Sequence, residues 1–196
     1  MDSELVCPEL CSTYNDLAKT VGESSTVHAV LLDFKKAFDK VPHTLLFKKI
    51  QQISGIDNKL ISWIQDFLTG RSQQVVVGNT KSSELPVCSG VPQGSVLGPT
   101  LFLIYINDLP LAVNCNVSLY ADDTLMYSEI RTIEDKVNFQ TNINSLQDWS
   151  TTWKMPFNTS KCEVIVFSKF DVDHHCTLNG SPLQRVGKTK SLGVII

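Results

Sequence analysis

Three aspartates carry the chemistry this sequence offers. Asp122 and Asp123 stand side by side in Tyr120-Ala121-Asp122-Asp123, between two apolar stretches. Two adjacent like charges in such a place are costly unless a cation compensates them or water solvates a turn. Aspartate is common in turns, so both readings are open here. Asp33 closes an apolar, partly β-branched run that begins at Thr26. An acid at the end of a buried strand either caps something or holds a cation. Magnesium takes hard oxygen ligands, usually one or two carboxylates plus substrate phosphates. Two such ions roughly 3.5–4 Å apart can clamp the attacking and leaving oxygens of a phosphoryl displacement. One acid from one strand and two from a neighbouring hairpin would suffice, although spacing alone does not bring them together.

A third segment, Ser89 to Pro99, reads SGVPQGSVLGP, with three glycines and two prolines. Glycine permits close backbone approach to a ligand. Gln93, pinned between Pro92 and Gly94, can donate to and accept from a sugar or a base. The segment is not a phosphate-cradling P-loop, because the terminal G-K-[ST] is missing.

The elements that must position these residues alternate along the chain. Thr26 to Phe34 reads as a buried strand. A turn-rich passage through Pro42 follows, then a helix from His43 to about Ser54 with Leu45, Leu46, Ile50 and Ile53 at helical period. Gly55 stops it. Asp57 caps a second helix, expected to bury Leu60, Ile61, Ile64, Phe67 and Leu68 and to end at Gly70. Gln73–Val77 and Glu84–Cys88 read as short strands about a turn at Gly78-Asn79. Pro99 is placed to start a helix through Asn107. Val117–Tyr120 and Thr124–Tyr127 flank the acidic pair. Thr132 caps a long helix carrying Ile133, Val137, Leu146, Trp149 and Trp153. Glu163–Phe167 is a strand, Thr177-Leu178-Asn179-Gly180 is the strongest hairpin signal, and Leu192–Ile196 is a last strand. The expected class is α+β, an antiparallel sheet covered by helices on one face.

The chain has 196 residues, 42% hydrophobic and 19% charged, which excludes a mainly disordered protein. Net charge is −3, so nucleic acid is not gripped over the whole surface. Lys35, Lys36, Lys40, Lys48 and Lys49 nonetheless crowd one stretch, a candidate basic face. The longest apolar run, Leu101 to Ile106, is far too short for a membrane span, and no secretory signal opens the chain. An intracellular protein without membrane contact is expected, nucleus or cytoplasm being undecided. Cys7, Cys11, His174, His175 and Cys176 offer either a structural zinc site or reduced thiols. Their spacing lacks the paired knuckles of a zinc finger.

Taken in order, LLDFKKAFDKVPH, SGVPQGSVLGPTLFLIYINDLP and YADD resemble the palm domain of reverse transcriptases, most closely the non-LTR (LINE-type) retrotransposon family. WKMPFNTSKCEVIVFS resembles that family's next motif, with Asn158 and Lys161 matching, and KSLGVII the start of the following one. The resemblance covers residues 26–196 and rests on the order and number of motifs. It leaves residues 1–25, an acidic segment, unmatched. It implies a right-hand polymerase palm that takes an RNA template, a DNA primer and deoxynucleoside triphosphates. Two Mg2+ ions, or Mn2+, would be held by Asp33, Asp122 and Asp123 and by the main-chain carbonyl of Phe34. The primer 3′-hydroxyl would attack the α-phosphate. Phe38 matches the residue that excludes a ribose 2′-hydroxyl. Gln93, with Gly94 beside it, matches the glutamine near the incoming nucleotide, Lys161 a lysine that helps the leaving pyrophosphate, and Tyr120 a residue beside the primer end.

That family carries basic fingers before the first aspartate and a thumb after the primer-grip strand. Only 32 residues precede Asp33 here and the sequence stops at Ile196. The expectation is therefore a palm with fingers and thumb largely missing, poor or absent primer extension by this chain alone, and self-association through the surfaces so exposed. Two other readings stay open. One is a non-catalytic, transposon-derived remnant; the other is a magnesium-dependent phosphotransferase on a different fold.

Overall fold

The computed structural model describes residues 15–21, 26–168, 175–188, 190–191 and 194–195. In chain order the elements are α1 (residues 15–21), β1 (Thr26–Asp33), the one-turn α2 (Ala37–Lys40), α3 (His43–Gln52) and α4 (Asn58–Leu68). Four two-residue strands follow, β2 (Ser72–Gln73), β3 (Val76–Val77), β4 (Thr80–Lys81) and β5 (Leu85–Pro86). Then come α5 (Leu97–Ile106), β6 (Asn116–Tyr120), β7 (Asp123–Ile130), α6 (Ile133–Thr152) and β8 (Glu163–Phe167). The last are β9 (Thr177–Leu178), β10 (Ser181–Pro182), β11 (Gln184–Val186), β12 (Lys190–Ser191) and β13 (Val194–Ile195). Two compact units share them. One comprises Met1–Phe34, Leu109–Trp149 and Phe157–Ile196, the other Lys35–Asp108 and Ser150–Pro156.

The first unit is built on a five-stranded sheet of order β11-β8-β1-β7-β6. β1 lies antiparallel to both β7 and β8, and β6 antiparallel to β7; β11 alone joins in parallel, on β8. β1 is central because it can bury both faces. Val27 and Ala29 pack with Leu125, Tyr127 and Leu17 of α1 on one side. Residues of opposite parity, His28, Val30 and Leu32, are buried on the other. There α6 covers the sheet, with His28 edge-on to Phe139 at 5.9 Å and Phe34 6.2 Å from Trp149. The expected antiparallel sheet with a helical cover is therefore present, and α1 adds a short helix over the opposite face.

α6 starts where expected. Asp135 N–H bonds the Thr132 hydroxyl at 3.1 Å, and the Asp135 carboxylate accepts from Thr132 N–H at 2.8 Å, a reciprocal cap. Its inner face differs from the expected stripe. Ile133 and Val137 are exposed, while Phe139, Ile143, Leu146 and Trp149 are buried. Thr177–Leu178 and Ser181–Pro182 form the expected hairpin, with Asn179 and Gly180 both at positive φ. Of the last expected strand, Val194 and Ile195 pair with β12, while Leu192, Gly193 and Ile196 lie outside the described residues.

The second unit holds the helices α3, α4 and α5. Asp57 caps α4 by accepting from Lys59 N–H at 2.7 Å. Ile64 and Leu68 are buried, but Leu60 is exposed, as is Trp63. α5 begins at Leu97, two residues before Pro99, and Ser95 Oγ, just ahead of it, accepts from Gly98 N–H at 2.9 Å. The segment expected to make two short strands forms two short ladders, β2 with β5 and β3 with β4, turning at Gly78-Asn79. Lys49 does not belong to a basic face. It is buried, donates to the Tyr105 carbonyl and to Asp108, and lies 3.7 Å from the Trp153 ring centre.

Candidate active site

β1 and β7 pair residue for residue until Asp33 stands opposite Asp123. Directly opposed residues in an antiparallel ladder point to the same face, so both carboxylates leave the sheet on one side. β6 and β7 are joined by a two-residue turn, because Tyr120 pairs with Asp123. Ala121 takes the first turn position at φ 51°, a conformation alanine seldom adopts, and Asp122 the second. The ladder register thus brings together residues of β1 and of the YADD turn that are distant in sequence.

The acids feel one another's charge. Partial desolvation first, then the charges of Asp122 and Asp33, hold the Asp123 carboxyl above the usual carboxylate range, and Lys161 opposes the effect. Lys161 Nζ lies 3.1 Å from Asp33 Oδ2. Its turn is tied to the same strand end. Asn158 N–H donates to the Asp33 carbonyl at 2.7 Å, and Lys161 and Cys162 N–H both return to the Asn158 carbonyl. The Cys162 thiol is buried and raised to about 11 by desolvation. Phe34 anchors the strand end from the opposite side, stacked on Phe157 at 4.7 Å. Tyr120, at the end of β6, is 43% exposed beside the turn.

This donor set consists of hard carboxylate oxygens and fits Mg2+ or Mn2+ rather than a soft metal. Among the described residues no group of three His, Cys, Asp or Glu side chains is gathered tightly enough to hold an ion. What the backbone fixes is the strand register that sets their Cα positions.

Phe38, Gln93 and Gly94 belong to the second unit. Phe38 stacks on Phe102 at 4.8 Å. Gln93 is exposed and donates to Asp39 Oδ1 at 3.0 Å, a partner sequence reading did not single out. Gly94 takes φ +82° with open space where a Cβ would stand. Gln93 also borders a cleft of about 850 Å3 on which Lys36, Lys40 and Arg71 outnumber Asp39. Cys7, Cys11 and His174 lie outside the described residues, while Cys176 is fully buried with its thiol raised to about 12 by burial. No described helix is long and apolar enough to cross a membrane.

The family model described as "Reverse transcriptase (RNA-dependent DNA polymerase)" matches residues 7–196. The chain is 33% identical over 178 residues to the RNA-directed DNA polymerase from mobile element jockey of Drosophila funebris, covering 84% of this chain and 19% of the relative. It is 30% identical over 179 residues to the probable RNA-directed DNA polymerase from transposon X-element of Drosophila melanogaster, covering 86% and 19%. It thus spans about a fifth of the length of these relatives. Among solved structures it resembles apo telomerase from Candida tropicalis truncated from its C-terminal domain. There the TM-score is 0.59 at 14% identity, covering 87% of this chain and 36% of that one. The same enzyme in complex with a telomeric RNA fragment gives 0.60 at 12%, covering 84% and 31%. At such identities the likeness establishes the polymerase palm fold alone. With the sequence match running through all three motifs, the chain belongs to the reverse transcriptase family, on its non-LTR retrotransposon branch.

Proposed function

We propose that this chain supplies the nucleotidyl-transfer centre of an RNA-directed DNA polymerase and that residues 26–196 are its palm. The observation that carries the reading is the Asp33–Asp123 pairing, with Asp122 in the adjoining turn and Lys161 ion-paired to Asp33. Asp33, Asp122 and Asp123, with the Phe34 main-chain carbonyl, would hold two Mg2+ or Mn2+ ions. The ions would supply charge neutralisation at the reacting phosphate. Lys161 stands beside that charge on a flexible stem, 68% exposed, and serves the departing pyrophosphate. Tyr120 borders the primer 3′ end. Phe38 offers a deoxyribose a wall and a ribose 2′-hydroxyl no hydrogen bond, and Gln93 and Gly94 meet the incoming nucleotide. Within the second unit, Lys36, Lys40 and Arg71 give the cleft beside Gln93 a positive balance suited to phosphates.

The test is purified protein with a DNA primer annealed to an RNA template, magnesium and all four deoxynucleotides. The expected result is template-directed addition, slow or short, that Asp122→Ala abolishes. Addition that persists in Asp122→Ala, or no addition by folded protein that binds the metal, overturns the reading for this chain.

A further inference from the structure

Within the second unit, a loop and the one-turn helix α2 are fastened to each other through one glycine. Val91 N–H donates to the Phe38 carbonyl at 2.8 Å and Gly90 N–H to the Val41 carbonyl at 2.8 Å. Ser89 Oγ donates to the Asp39 carbonyl at 2.9 Å, and Gln93 to the Asp39 side chain at 3.0 Å. Gly90 sits at φ +88°, and a Cβ there would stand 2.9 Å from Asp39 Cα and from two backbone oxygens. The backbone of Asp39 therefore closes over a position that admits no side chain.

Gly90 is buried, so its carbonyl requires a donor. The donor is His43, the first residue of α3, only 8% exposed, with Nε2 2.8 Å from that oxygen. A carbonyl can only accept, so Nε2 carries the hydrogen. The peptide groups of Gly90 are thus held on both sides of Pro42, by Val41 before it and His43 after it.

We propose that His43 is a positioning residue that locks the Ser89–Gly94 loop onto α2 and the Val41 that ends it, and so fixes Gln93 relative to Phe38. These are the two residues assigned above to the incoming nucleotide, so His43 also sets how sharply deoxyribose is preferred over ribose. The link to nucleotide choice rests on the polymerase reading; the lock itself does not.

The test separates the two. Glutamine places an amide N–H where Nε2 stands, whereas asparagine reaches only as far as Nδ1. Hydrogen exchange is measured on the whole chain for wild type, His43→Gln, His43→Asn and His43→Leu. Exchange at Gly90 and Val91 should accelerate by about ten- to hundredfold in His43→Leu and His43→Asn, with the β1 and β7 amides unchanged, and return toward wild type in His43→Gln. Unchanged exchange at Gly90 and Val91 in His43→Leu overturns the proposal, as does acceleration spread evenly over both units. In primer extension, His43→Leu should narrow the deoxy-to-ribonucleotide preference while His43→Gln keeps it. If wild type extends nothing, the polymerase reading fails while the exchange result still decides the lock.

Discussion

Asp33 and Asp123 are Cα partners at the open end of the β1–β7 ladder. Opposed residues in such a ladder lie roughly 4.5–5.5 Å apart at Cα, and like charges so placed repel. The sheet spends its last paired position on an unfavourable contact, and the chain follows it with a second acid at Asp122. Lys161 offsets part of the repulsion from the Asn158–Lys161 turn. Under the proposed function, a divalent cation would offset the rest.

That repulsion has a pH signature. The Asp123 carboxyl is raised above its ordinary value, so the folded state binds this proton more tightly than the unfolded state. Its contribution to stability is therefore lost as pH rises from the ordinary aspartate value through the raised one, and the penalty is complete above that. Asp123→Asn should melt at a higher temperature than wild type at pH 7 without divalent ions. The gap should close as pH falls through the carboxylate range. A gap that widens on acidification contradicts the assignment.

Thr124 follows Asp123 on the buried side of β7. It is 2% exposed, and its hydroxyl has no hydrogen-bond partner among the described residues. Valine keeps the shape and removes the unmet group, so Thr124→Val should stabilise the protein by about 1–2 kcal/mol in urea denaturation. A loss of stability would mean that the hydroxyl has found a partner.

The two loop glycines should respond unequally to alanine. Gly94 is strained by φ alone, and Gly94→Ala should cost about 1–2 kcal/mol. Gly90 adds the collision with the Asp39 backbone, so Gly90→Ala should cost about 3–5 kcal/mol. Equal losses, read by chemical denaturation, would show that the loop and α2 separate easily.

Phe38 packs within its unit and, under the proposed function, also faces the sugar. Its half-buried ring stacks on the fully buried Phe102 at 4.8 Å. Phe38→Ala should lower stability by about 3 kcal/mol, and in primer extension it should raise ribonucleotide incorporation far more than it changes deoxynucleotide use. Equal effects on both nucleotide classes would leave Phe38 with packing alone.

The sequence made strand β1, the caps at Asp57 and Thr132, strand β8 and the Asn179-Gly180 turn legible, because each depends on local chemistry or a short period. It did not show which face of α6 is buried. Ile133 and Val137 fit a helical stripe as well as Phe139 and Ile143 do, and only tertiary packing decides between them. Lys49 looked like one more surface cation among five until Asp108 and Trp153 enclosed it. At the candidate site the acids could be named from their types, and their family roles from motif order, but their meeting could not. It depends on the register of β1 against β7. His43 carried no signal beyond opening a helix after Pro42, since its partner is a backbone carbonyl far along the chain.

Paramagnetic titration with Mn2+ tests the central claim most directly, because it reads the carboxylates without requiring turnover. Wild type should bind the ion, and Asp33→Asn and Asp122→Asn should each weaken binding by about tenfold or more while the protein stays folded by circular dichroism. Binding of equal strength in wild type and both variants would show that these acids do not form a metal centre.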